Sequence, residues 1–61
     1  MTQISEKELN VVKDLLSGEE LLVKKFQMLA EHAQNPEVKL KMEAIAKKHQ
    51  GHFDELYEKL C

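Results

Sequence analysis

Apolar residues recur along the first half of the chain in alternating steps of three and four: Val12, Leu15, Leu22, Phe26, Leu29 and Ala33, with Glu19 interrupting the series between Leu15 and Leu22. That spacing puts them on one face of an α-helix. The second half carries a matching series, Val38, Met42, Ile45, His49, His52, Leu56 and Leu60, widened by Ala46, Phe53 and Tyr57. No stretch alternates apolar and polar residues with the β-branched content of a strand, and Leu, Lys, Glu, Gln, Met and Ala dominate throughout. The chain reads as all-α.

Punctuation along the chain gives the boundaries. Ser5 and Glu8 have the spacing of a capping box, with Ile4 and Leu9 at the two positions of a hydrophobic staple, so a first helix starts near residue 5. Asn35-Pro36-Glu37 combines a capping side chain, a proline suited to the first helical position and an acid for the helix dipole. The first helix therefore spans about 5–34, the turn lies at 35–36, and a second helix covers about 36–60. Only Gly51 interrupts it, at a cost of about 1 kcal/mol relative to alanine. Ser17 and Glu20 repeat the capping box, and Leu16 and Leu21 the staple, which leaves the first helix either continuous, kinked at Ser17-Gly18, or broken there. The apolar series keeps its phase across residue 18, as a single helix requires.

Two such rods joined by a tight turn form a long antiparallel hairpin, one domain over residues 1–61, and each rod can bury one strip against the other. A chain of 61 residues hides only about 60% of its unfolded surface. Cys61 is the only cysteine, so no internal disulfide supplements the core, and no Cys/His cluster has zinc-finger spacing. Self-association remains, and the expected form is a homodimer in which two hairpins make a four-helix bundle. Acid-first pairs four residues apart, Glu20-Lys24, Glu37-Lys41, Glu43-Lys47 and Glu55-Lys59, mark the solvated faces. With a net charge of −2 and both signs interleaved, the sequence offers no footprint for nucleic acid and no polybasic membrane patch. The start Met1-Thr2-Gln3-Ile4-Ser5 lacks signal-peptide character and no eighteen-residue apolar run occurs, so the expectation is an intracellular protein, with Cys61 a free thiol.

Counted from the turn, Glu19, His49 and His52 fall at one level, roughly 21–26 Å away at 1.5 Å per residue. Glu19 has Val23 rather than a base four residues on, unlike Glu20, and an inward carboxylate needs a partner. One carboxylate and two imidazoles a turn apart form a three-ligand set for a divalent metal, zinc or iron. Two structural readings stand beside it. Glu19 can accept hydrogen bonds from the histidines in a buried polar layer that sets register, or it can occupy the first turn of a helix starting at Ser17. His32 lies beside the stripe and reads as a surface residue, while Phe26, Phe53, Tyr57, Met28 and Met42 read as core or dimer contacts. Nothing else has the pattern of a catalytic site.

Glu19, Phe26, Ala30, Ala33, Met42, Ala46, His49 and His52 together resemble the spacing of one helix pair in ferritin-like, rubrerythrin-type proteins. The turn Asn35-Pro36-Glu37-Val38-Lys39 and the segment His49-Gln-Gly-His52 resemble more closely the small spore-coat-F-like proteins of spore-forming bacteria, over roughly residues 5–60. The resemblance implies a ferritin-like bundle, with Glu19 at the first-helix carboxylate and His52 at the histidine of a Glu-x-x-His motif. His49 stands where that motif has glutamate. A dimer would then hold two carboxylates and four imidazoles, against four carboxylates and two histidines in di-iron carboxylate proteins. What the resemblance implies is therefore a non-enzymatic structural or interaction protein of a bacterial spore coat, with itself and other coat proteins as partners. The alternative is a divalent-metal-binding or redox protein using Glu19, His49 and His52. A third expectation is a module whose apolar stripe takes a partner's helices.

Overall fold

The computed structural model describes residues 4–60, which form two α-helices, α1 (Glu6–His32) and α2 (Pro36–Glu58), folded back on each other as an antiparallel hairpin of 46 × 17 × 10 Å. Each start is built by the expected capping chemistry. Ser5 Oγ accepts the Glu8 backbone N–H at 3.1 Å, and the Glu8 carboxylate accepts the Ser5 N–H at 3.3 Å and its hydroxyl at 2.9 Å. Asn35 Oδ1 accepts the N–H groups of Glu37 and Val38 at 2.8 and 3.2 Å. Such caps satisfy amides that have no partner inside the helix, each worth about 1 kcal/mol.

α1 passes through Ser17-Gly18 without a break, so the second capping box is not used as one and Glu19 is not in a first helical turn. No glycine has a positive φ. α1 ends at His32, short of residue 34, because Ala33 turns extended (ψ 126°) and Asn35, preceding a proline, is held at ψ 122°. α2 ends at Glu58 rather than near residue 60, with Lys59 and Leu60 in a turn closed by their N–H bonds to the Leu56 and Tyr57 carbonyls. Of the four expected acid-first pairs, Glu20–Lys24 closes, at 3.2 Å. Cys61 and residues 1–3, on which the readings of a free thiol and of the chain start rested, lie outside the described residues.

The hairpin seam differs from the stripe read from the sequence. Val23, Ala30 and Ala46 are the buried apolar residues among those described, whereas Leu15 is 50% exposed, Leu29 39% and Val38 43%. On α1 and at its cap Ala33 the residues at least partly buried are Leu9, Val12, Leu16, Glu19, Leu22, Val23, Phe26, Ala30 and Ala33, and all but Leu22 follow one another in steps of three and four. Leu15, Leu22 and Leu29 lie about a quarter-turn round from this seam at 100° per residue. They form, with Val11, a second stripe on one open side of the hairpin. On α2 the same rotation puts Val38, Ile45 and His52 on that side. The opposite groove is polar, lined by Lys24, Gln27, Glu31, Lys39, Glu43, Lys47 and Gln50 around the seam residues Val23 and Ala46.

A compact monomer of 7.1 kDa exposes about 4,100 Å² by the usual scaling of surface with mass. This hairpin exposes 5,175 Å². The excess follows from two helices without a third layer, and it includes the apolar side just described. Among the described residues no helix is long and apolar enough to cross a membrane.

Candidate functional site

α1 presents Glu19 and α2 presents His49 and His52, one turn apart, at mid-length of the hairpin. Their ligand atoms all lie within 4.8 Å of one another, so the three residues singled out from the sequence do form one cluster. His49 Nδ1 donates to Glu19 Oε1 at 2.7 Å, with Oε2 at 3.4 Å, and His52 Nδ1 stands 3.3 Å from Oε2. The side chains of Glu19 and His49 are only 14% and 23% exposed, while that of His52 is 54% exposed. The cluster is thus walled by the hairpin seam on one side and open, through His52, on the apolar side.

Ring packing holds the imidazoles. Phe26 stacks on His49 with centroids 5.8 Å apart and planes 13° from parallel, and His52 meets His49 edge-on at 5.5 Å. Phe26, seven residues after Glu19 and so on the same face of α1, was expected as a core or dimer contact. The hydrogen bond from His49 draws the Glu19 carboxyl below its ordinary value; partial burial works against this, and the nearby charge of both imidazoles, when protonated, adds to the lowering. His32 is exposed at the turn end of α1, its Nδ1–H spent on the Met28 carbonyl at 3.0 Å, and takes no part.

Where a neutral imidazole donates Nδ1–H to a carboxylate, Nε2 keeps a lone pair. The arrangement can therefore act in two ways. It is complete as a polar layer, since no buried side-chain polar atom among the described residues lacks a hydrogen-bond partner. It also supplies two imidazole nitrogens and a carboxylate, three of the four positions that a zinc-type ion takes, an ion among them replacing the hydrogen bonds between Glu19 and the histidines. One carboxylate per hairpin does not fit a di-iron carboxylate centre, whose bridging oxygens balance the metal charge. A shallow concavity lined by Asp14, Leu15, Gly18, Glu19 and Leu22 adjoins the cluster on α1. Searches against known protein families, curated proteins and solved structures find no match to the chain.

Proposed function

We propose that the protein is a self-associating helical scaffold: two hairpins pair through their apolar sides as a four-helix bundle, and the bundle serves a structural or interaction role without catalysis. The observation that carries this reading is the pairing of a minimal core, Val23, Ala30 and Ala46, with large apolar side chains at the surface, of which Val11, Leu15, Leu29 and Val38 line one side of the hairpin while Leu21, Met28 and Leu40 lie on the backs of the helices. An open apolar side of this kind on a small domain marks an interaction surface. The spore-coat-F-like resemblance supports a place in a bacterial spore coat, beside other coat proteins. Sedimentation equilibrium over a micromolar range tests the reading directly. A dimer mass is expected, and a folded monomer at every concentration would remove its premise.

A second reading is favoured by one specific observation, the convergence of Glu19, His49 and His52 within 4.8 Å. In it the same bundle binds a divalent cation of the zinc class at each cluster. Metal analysis of the purified, untagged protein before and after a chelator separates the two. One ion per chain, lost in His49→Ala with the helix content retained, supports binding; a metal-free protein that ignores both chelator and added zinc leaves the cluster a polar layer.

A further inference from the structure

The open side of the hairpin has a symmetry of its own. On α1, Leu15 and Leu22, and Val11 and Leu29, are pairs whose midpoints fall within one position of Glu19. On α2 and the turn that follows it, Ile45 and His52, and Val38 and Leu60, are centred in the same way on His49. Glu19 and His49 are in contact at 2.7 Å, so the two centres stand at one level. Both stripes therefore read alike from either end of the hairpin.

We infer that the open side is covered by a second copy of this chain laid on with its turn at the opposite end, related by a two-fold axis at the level of Glu19 and His49. This rests on the self-association proposed above and specifies its face and direction. A two-fold perpendicular to the helices carries Leu15 onto the partner's Leu22 and Ile45 onto the partner's His52, so that each large apolar group meets another apolar group or an imidazole edge. The same operation sets Asp14 level with the partner's Lys25. With both turns at one end, Asp14 would instead come level with the partner's Glu55, a like-charge pair. The opposed arrangement also brings Lys48 close to the level of the partner's Lys48, but on the exposed rim, where salt screens it.

Area and chemistry agree with this choice of occupant. The hairpin's broad side, 46 × 17 Å, projects about 780 Å², close to the ~800 Å² per partner that a stable interface buries. The axis passes through the polar cluster, so Glu19 and His49 of the two copies share one layer. The open flank of His52 is then closed by the other chain, level with the partner's Ile45.

Spin-label distances decide the matter on the full-length chain. In a Cys61→Ser background, one label at Gln34, exposed beside the turn, should give an intermolecular distance near the 46 Å hairpin length. An equimolar mixture of Lys7→Cys and Gln34→Cys proteins, each labelled, should add a short distance under about 20 Å, the width of two packed helices. A short distance for Gln34 alone, and a long one for the mixture, overturns the inference while leaving self-association intact. A monomer mass with no dipolar coupling overturns both. Labels at two exposed sites guard against one of them disturbing the turn.

Discussion

Dilution is the perturbation that bears most directly on the missing third layer. If the hairpin is stable only as a dimer, folding and association are one reaction, and its midpoint must depend on protein concentration. Two chains of 61 residues unfolding together carry an entropy of about 0.26 kcal/mol/K, from roughly 2.1 cal/mol/K per residue. A tenfold dilution shifts the free energy of such a dimer by RT ln 10, about 1.4 kcal/mol, which corresponds to a midpoint about 5 °C lower. Circular dichroism at 222 nm from one to several hundred micromolar reads this as a drop of about 10 °C over a hundredfold range. Leu22→Asp, which puts a charge on the open side without touching Val23, Ala30 or Ala46, should lower the midpoint strongly. A wild-type midpoint independent of concentration would refute the reasoning, because it would mean that the small seam holds the hairpin by itself.

Three further outcomes follow from particular contacts. Ser5→Ala removes the capping box and should cost about 1 kcal/mol in urea unfolding, with Asn35→Ala comparable at the start of α2; no change in either would mean that the caps are replaced by water. Gly51→Ala has nothing within 4 Å of the added methyl group, and should stabilise the protein by about 0.5–1 kcal/mol. Gly18 is equally free in the hairpin but lies beside the open apolar side, so a smaller gain for Gly18→Ala than for Gly51→Ala reports contact with the second copy. Glu19, whose carboxyl is lowered by the His49 hydrogen bond, contributes stability that is present above the ordinary glutamate value of 4.5 and is lost as pH falls through the lowered one. Thermal midpoints from pH 6 to 3 should therefore fall more steeply for the wild type than for Glu19→Gln, and parallel curves would show that the carboxylate adds nothing.

The boundaries were legible because they are written in local chemistry: Ser5 with Glu8, and Asn35 with Pro36, act within three residues of themselves. The cluster was legible too, since polar residues interrupting two apolar series at one level from a turn have to meet. The seam was not. α1 carries two apolar stripes about a quarter-turn apart, one through Leu16, Val23 and Ala30 and one through Leu15, Leu22 and Leu29, and a count of steps of three and four fits either. The structure assigns the first to α2, and the alanines explain why. Ala30 and Ala46 are small enough for the helix axes to approach closely, leaving the larger leucines outside. A sequence with more apolar face than a hairpin can use signals a second packing event, and that signal lies in the surplus rather than in either stripe.

The polar cluster makes best sense against that surplus. Leu15, Leu22 and Leu29 are seven residues apart, so two paired hairpins slipped by one heptad, about 10 Å along the axis, would still match leucine to leucine. Apolar contacts alone do not choose between these registers. The Glu19 layer does: in register the Glu19 carboxylates and His49 imidazoles of the two copies lie at one level, whereas after a slip Glu19 comes level with the partner's Val12 or Phe26 and His49 with the partner's Met42 or the partner's Leu56, and an ionised carboxylate against an apolar wall is costly. Replacing the layer by apolar residues, as in Glu19→Leu with His52→Leu, should strengthen association while losing the register. The measurable sign is a second intermolecular distance for the Gln34 label, displaced by about 10 Å, together with a raised thermal midpoint. A single unchanged distance in that variant would mean that packing shape fixes the register and the cluster is not needed for it, leaving cation binding as the reason for two histidines and a glutamate at the centre of an apolar side.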